Sequence, residues 1–440
     1  MIQKETNVEP SGAKVVFADA KEGVRQAVEE VFSRFPQTLD LIRDRGEAWV
    51  KVNAVDLRPY CFTDPAVVVE AVRVLKDAGA KQVKVVENST QGNITRLVAR
   101  ATGLFDACKE AGAEFLCLDE TREATVFLPN LQRFANISLA VHDALIRDRD
   151  QRFYLSIPKL KTHSMTTMTL SVKNQFGFFH HGSRVEDHNF LLHRKIADLY
   201  SLVRPDFVLV DGLFATNHGH YPAKANIDES VVATDVILGG EDPLAVDAAG
   251  ASFLGIAPES VEHLRLASQD RDNRDAPEFF VENQALFEQR RQSFTDELLH
   301  RLPEDLVILR GRERCCREGC QNNTESVAEF LHCDFKGQGG FTILMGKGVD
   351  PELVAGLKGR VHLAGTCAAA DWQRELEVRL GTRNVTASLG CNNLPDTIRG
   401  LCRHMKVSPI SLASVNPVTA LGALVSAHLR GTRARVPKLF

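Results

Sequence analysis

What the 440-residue chain lacks narrows its class before any motif is read. No run of about 18 consecutive apolar residues occurs, the length a helix needs to cross a bilayer, so no membrane partner is expected. Met1-Ile2-Gln3-Lys4-Glu5-Thr6-Asn7 has no apolar core of a secretory signal, and a cytoplasmic location is the expectation. Charge of one sign is not in excess: 57 acids stand against 53 lysines and arginines, a formal −4, with no basic patch that would point to nucleic acid. The glycine-rich pieces Gly337-Gln338-Gly339-Gly340 and Gly346-Lys347-Gly348 match neither the phosphate-loop nor the dinucleotide pattern, so no nucleotide cofactor is expected. Internal repeats and low-complexity tracts are missing as well. What is left, at 44% hydrophobic and 25% charged residues, is the composition of an ordinary globular enzyme of two or three domains.

The pattern that is present alternates strands with helices. Ala48–Asn53 reads as a strand, Thr63-Asp64-Pro65 as a helix start with a capping residue and an early proline, and Val68, Val69, Val72 and Leu75 keep helical spacing until Gly79. Gln82–Glu87 is the next strand, and this strand–helix–strand unit predicts a parallel sheet covered by helices. Further strands are expected at Glu114–Leu118, Phe153–Ile157, Phe207–Val210 and Val232–Leu238. Residues 1–265 form the large α/β domain in this reading. Residues 266–305 form a charged helical connector, and 306–440 a smaller α/β domain with strands at Phe341–Met345, Arg360–Ala364, Asn384–Leu389 and Ile410–Ala413.

Polar signal is densest between residues 158 and 220. Lys159, Lys161 and His163 follow one another at period two, which puts them on one face of an extended segment, and Lys173 and Asn174 come ten residues later. Clustered ammonium groups near strand ends suit a small anion, a carboxylate or a phosphate, and Lys51 and Asn53 at the end of an earlier strand could join them. Each lysine could instead be solvated or paired with an acid. His163, inside the lysine face, is the preferred acid/base group, and Asp211 could orient a lysine or histidine. A second reading of the histidines has His181, His188 and His193 hold a divalent ion with Asp187, although their spacing fits no specific metal motif. Asp247 sits in an apolar helix and needs a partner if buried.

Seven of the ten cysteines lie from residue 315 onward. Cys315, Cys316 and Cys320 fall within six residues, and Cys367 and Cys391 each follow an expected strand, so four thiolates could converge on one point. Such a set suits an iron–sulfur cluster or a structural zinc, and spacing does not decide between them. A second α/β domain of this size should not need zinc to fold, which favours the cluster.

Residues 47–260 resemble the domain-of-unknown-function family 362, found in many iron–sulfur proteins. The resemblance is carried by Lys51-Val52-Asn53, Thr63-Asp64-Pro65, Ile157-Pro158-Lys159-Leu160-Lys161-Thr162-His163, Ser171-Val172-Lys173-Asn174-Gln175-Phe176-Gly177, Asp211-Gly212 and Gly240-Glu241-Asp242-Pro243. The carboxyl-terminal part is similar to longer members that carry a cluster, and the resemblance implies Cys316, Cys320, Cys367 and Cys391 as ligands, with Cys315 as a substitute for Cys316. Asn392-Asn393 stand where those members have two prolines. The expectation is an iron–sulfur enzyme, with a [4Fe-4S] cluster or alternatively zinc. It would perform redox chemistry on an anionic small molecule with Lys159, Lys161, His163, Lys173 and Asp211 as catalytic groups and Lys51, Asn53 and Asn174 binding substrate. An electron donor protein is a further expected partner, and a homo-oligomer is compatible with this reading. The rivals are a non-redox isomerase or lyase using the Lys/His face with a structural metal, and an electron- or metal-carrying accessory protein.

Overall fold

The computed structural model describes residues 12–90, 93–185, 188–412 and 416–429. Sixteen strands are found among them: β1 (Ala13–Asp19), β2 (Glu47–Val52), β3 (Gln82–Glu87), β4 (Glu114–Cys117), β5 (Glu123–Leu128), β6 (Arg133–Ser138), β7 (Phe153–Ile157), β8 (Lys159–His163), β9 (Thr167–Thr169), β10 (Phe207–Thr216), β11 (Val231–Gly240), β12 (Phe279–Glu282), β13 (Leu306–Arg310), β14 (Phe341–Met345), β15 (Arg360–Ala364) and β16 (Val385–Ser388). The large sheet runs β12-β1-β11-β10-β7-β2-β3-β4, with β8 paired to β10 and β9 to β8. Its β10-β7-β2-β3-β4 half is parallel, whereas β11 is antiparallel to both of its neighbours. A second sheet, β13-β14-β15-β16, is parallel throughout. The chain is therefore α/β with mainly parallel sheets, as the strand–helix alternation predicts.

The parallel half forms where the sequence offers short apolar runs divided by amphipathic helices. Helix Pro65–Asp77 starts as read: Asp64 accepts a hydrogen bond from the Ala66 amide at 2.8 Å, and the proline occupies the first turn. Its buried Val68, Val72 and Leu75 belong to one of two hydrophobic clusters in the large unit, the second lying under the helices of the other face. Burial on both faces explains why β7 and β8 have every residue buried and show no useful alternation.

Two expectations are corrected. The stretch 266–305 is not a helical connector: helix Glu262–Asp272 runs into its start, β12 pairs with β1 at the edge of the large sheet, helix Gln284–Arg290 follows, and 291–303 has no helix or strand. The pairing with β1 supplies backbone partners that a solvated connector would lack. The expected strand at Ile410–Ala413 is a 3₁₀ turn, Pro409–Leu412, with Ala413 outside the described residues; its proline cannot donate to a ladder. Among the described residues no helix is long and apolar enough to cross a membrane.

Candidate active site and thiol cluster

The carboxyl ends of β2, β3 and β8 meet at one place, where open α/β sheets put their sites. Lys51 near the end of β2 and Glu87 at the end of β3 are in adjacent parallel strands, and both are buried. Lys51 Nζ donates to Glu87 Oε1 at 2.6 Å and to the Val52 carbonyl at 2.7 Å. Burial pulls the Lys51 ammonium down from its usual pKa, and Glu87 works against that pull. Gly177 closes over this pair: a Cβ there would lie 3.0 Å from both Lys51 Nζ and Glu87 Oε1, so the Asn-Gln-Phe-Gly piece needs its glycine for close approach.

Asn174 cross-braces the same region. Its Nδ2 donates to the Lys51 carbonyl and to Ser156 Oγ, while its Oδ1 lies 3.4 Å from both Lys51 Nζ and Asn53 Nδ2. Asp247 answers the question the sequence posed. Buried in helix Pro243–Phe253, it accepts from the Ser171 and Val172 amides at 2.8 Å each and so fixes the turn that carries Lys173 and Asn174. Burial pushes its carboxyl up to about 8, and those two amides pull it the other way.

The lysine face divides. Lys161 and His163 line a cavity of about 560 Å³ together with Lys51, Asn53, Lys173 and Asn174. Lys159 and Asp211 do not line it. They stand directly opposite each other on β8 and β10, and Lys159 Nζ donates to Asp211 Oδ2 at 2.9 Å with both side chains buried. Asp211 also accepts from the amides of Asp64 and Leu213. Lys159 and Asp211, expected as catalytic groups, thus form a buried ion pair outside the cavity lining, because strand register puts the acid against the base.

Lys51 apart, the lysines that face the cavity lack acids. Lys161 Nζ donates to Asn53 Oδ1 at 2.7 Å and to the Cys61 carbonyl at 2.9 Å, and burial lowers it to about 8. Lys173 has no hydrogen-bond or ion-pair partner among the described residues; its ammonium lies over the Phe176 ring, 6.0 Å from the centroid. Burial, reinforced by Lys161 and Arg184, brings Lys173 down to about 7. His163 stacks on His220 with ring centroids 3.7 Å apart. Burial holds both well below the usual imidazole range, each with cationic neighbours, so both are neutral at pH 7. His163 Nδ1 accepts from the Met165 amide at 3.2 Å, which leaves the ring proton on Nε2.

The carboxyl-terminal unit supplies the opposite wall, with Asn323, Ser326 and Phe330 from helix Asn322–Phe335 and Leu394 and Ile398 from helix Leu394–Met405. Arg58 ties the two sheets' units together: it donates to Asp334 at 2.9 Å and lies over the Tyr221 and Phe330 rings. Glu87, His220 and this wall were missed from sequence. Only Glu87 left a signal, a charge ending an apolar strand beside the strand of Lys51. Of the alternative histidine metal set, the two described side chains have other neighbours: His188 faces Asn189 and Phe176, and His193 stacks on His263. Asp187 and the side chain of His181 lie outside the described residues.

The cysteines gather at the carboxyl end of the small sheet. Cys315, Cys316 and Cys320 precede helix Asn322–Phe335, and Cys367 lies in the first turn of helix Gly365–Leu380, directly after β15. Cys320 is pushed up to about 12 by burial and then by Cys315, Cys316 and Cys367; Cys316 is raised by burial and by thiols that include Cys367. Gly365, at φ 88°, faces Cys320 Sγ so closely that a Cβ would stand 3.2 Å from the sulfur. Cys391 joins through its backbone, its carbonyl 3.5 Å from the position a Gly319 Cβ would take. The donor set has the chemistry of a thiolate metal site, yet among the described residues no group of three His, Cys, Asp or Glu side chains is drawn together closely enough to hold an ion.

Asn392 explains the departure from two prolines. Its φ of 64° is closed to proline, and its side chain donates to the Gly319 carbonyl at 2.9 Å and to Thr324 Oγ1 at 2.8 Å. Its carbonyl accepts from Asn189 at 3.1 Å and from Asn323 at 2.8 Å. Asn189 and Asn323 both line the cavity, so this loop joins the thiols to it.

Comparison with known proteins follows the same division. Residues 49–252 match the family described as Domain of unknown function (DUF362). The DUF362 segment contains every lysine and histidine described at the cavity and none of the clustered thiols. No curated protein matches the chain. Among solved structures, the crystal structure of a Thermotoga maritima protein from a structural genomics consortium is similar over 90% of this chain and 84% of that one, at 11% identity and a TM-score of 0.36.

Proposed function

We propose that this protein is an enzyme that binds an anionic small molecule in the cavity and moves a proton on it. The observation that carries this reading is Lys173, a half-buried amine near pKa 7 with no partner among the described residues, facing the same space as Lys161 and the neutral His163–His220 stack. Lys161, with a pKa of about 8, is mostly a cation at pH 7 and would hold a carboxylate or phosphate. Lys173, about half neutral there, would take a proton from the bound molecule, becoming an ammonium, and return it at another atom, as an isomerase or lyase requires. His163 can donate from Nε2 to an oxygen that gains charge in that step.

The redox reading has its own support in the gathering of thiols. Under it Cys316, Cys320, Cys367 and Cys391, with Cys315 beside them, would bind an iron–sulfur cluster that supplies electrons, or a zinc ion that supplies only rigidity. None of these thiols lines the cavity, which places acid–base chemistry first.

Thermal unfolding with a panel of small carboxylates and phosphates tests the main reading. One class should raise the melting temperature of the unaltered chain, because a ligand that binds only the folded state stabilises it. Lys173→Met should fold about as well, since it removes an amine with no hydrogen-bond or ion-pair partner among the described residues, but should lose most of that ligand effect. A ligand shift that survives Lys173→Met would defeat the assignment. Iron, zinc and acid-labile sulfide analysis of anaerobically purified protein decides the metal. Iron with sulfide that falls away in Cys367→Ser supports the cluster, and zinc without sulfide makes the thiols structural.

A further inference from the structure

The last helix of the described chain, Pro417–Leu429, is apolar on two opposite sides. At about 100° per residue, Ala420, Ala423, Leu424 and Ala427 share one side. Ala420, Ala423 and Leu424 pack with Ile94 and Leu97 of helix Thr95–Ala101 and its cap, and Ala423 and Ala427 are buried. Val418, Leu421, Val425 and Leu429 fall on the other side, within an arc of about 80°. They are 76%, 62%, 50% and 81% exposed, and Ile410 on the preceding turn is 77% exposed. Single exposed apolar residues are ordinary, but an aligned stripe of four with a fifth nearby marks a surface that is covered in use.

Charge says what covers it. No aspartate or glutamate occurs after Asp396, although the whole chain has 57 acids. The same 44 residues contain seven lysines and arginines: Arg399, Arg403, Lys406, Arg430, Arg433, Arg435 and Lys438. Four of the seven directly follow the helix in sequence, and no charged residue interrupts 407–429. An exposed apolar helix face followed by cations, with no acids anywhere near in sequence, is complementary to a surface that is apolar within and anionic outside. A second copy of this chain would bring the same cations against these and would be repelled.

We propose that helix Pro417–Leu429 docks this protein onto an anionic lipid bilayer, lying in the headgroup region with Val418, Leu421, Val425 and Leu429 inserted. The helix does not span the bilayer, which its 13 residues could not do. Its inner side reaches the cavity wall through Ala420 and Leu424, so docking would set the cavity beside the lipid surface. The inference is independent of the chemistry proposed for the cavity.

The test is sedimentation of the full-length protein with vesicles of phosphatidylcholine alone and with about one quarter phosphatidylserine. Binding should be at least about tenfold greater on the anionic vesicles and should fall about tenfold when salt is raised to roughly 0.5 M. Leu421→Asp with Val425→Asp, both on the exposed side, should lower it about tenfold at unchanged melting temperature. Arg433→Glu with Arg435→Glu should do the same without touching the helix, and so checks the idea even if the first variant folds poorly. Equal binding to neutral and anionic vesicles, or no binding to either, would overturn the proposal. So would a dimer in solution that the aspartate variant dissolves, because a second copy would then be what covers the stripe.

Discussion

The cavity floor and the thiol cluster are both built at the carboxyl ends of parallel strands, yet they settle their charges in opposite ways. In and behind the cavity wall the fold supplies counter-groups. Lys51 has Glu87, Lys159 has Asp211, Lys161 has an amide oxygen and a carbonyl, and Asp247 has two backbone amides. One group, Lys173, is left over, and its isolation stands out because its neighbours are so fully matched. At the thiols like stands beside like, and each neighbouring sulfur makes it harder for the next to ionise. A lysine left over among satisfied partners suits a ligand that comes and goes. Thiols such as Cys316 and Cys320, raised by burial and by their sulfur neighbours, suit a resident cation, which would reverse those shifts.

The sharpest way to break this comparison is to remove a counter-charge. Glu87→Gln leaves Lys51 buried without its carboxylate and should cost about 3–5 kcal/mol in urea unfolding. A loss under about 1 kcal/mol would mean that Lys51 is not held as a cation, and the contrast between matched and unmatched amines would lose its footing. Asp247→Asn should be the next largest, about 1–3 kcal/mol, because an amide can accept from only one of the two backbone donors it faces. The same change should loosen the turn that presents Lys173, so ligand stabilisation should weaken together with stability.

These two effects also show what could be read from sequence and what could not. The parallel unit β2, helix Pro65–Asp77 and β3 was legible because its pattern is local: an apolar run, a cap with proline, a helical stripe, a glycine stop. Asp247 was legible as a problem, a carboxylate in an apolar helix, while its solution 75 residues away in sequence was not. Lys159 misled because period two counts faces and says nothing about register; only the pairing of β8 with β10 reveals that Asp211 sits opposite. The thiol spacing pointed to strand ends in the small unit, but the link from Asn392 through Asn189 to the cavity depends on a left-handed backbone conformation that no spacing encodes.

The pH dependence of anion binding sharpens the comparison more finely. Lys173 near 7 and Lys161 near 8 are the ligand-free values, and a bound anion favours both charged forms and raises them. Affinity should therefore be greatest below pH 7 and fall as pH rises through 7 and 8. Above that it should drop about tenfold per unit for each amine the anion recruits. Calorimetry near pH 7.5 in buffers of different ionisation heat should record proton uptake on binding. Proton release would put the anion elsewhere, since no cavity amine could then be gaining charge.

The smallest effect on anion binding belongs to the bridge between the two regions. Asn189 donates to the carbonyls of Cys391 and Asn392 at 3.1 Å each and sits beside His188 at the cavity. Asn189→Ala removes those two hydrogen bonds and a third between its Oδ1 and His188 Nδ1, and should cost about 1–3 kcal/mol. Asn189 contacts neither Lys161 nor Lys173, so anion binding by the variant should stay within about threefold of the unaltered chain, a difference worth less than 1 kcal/mol. The Cys391 loop, however, loses its tether to the large unit and should react faster with an alkylating reagent. If anion affinity instead falls tenfold while the thiols react at their original rate, the bridge serves the cavity and not the cluster. The two regions would then have to be treated as one site.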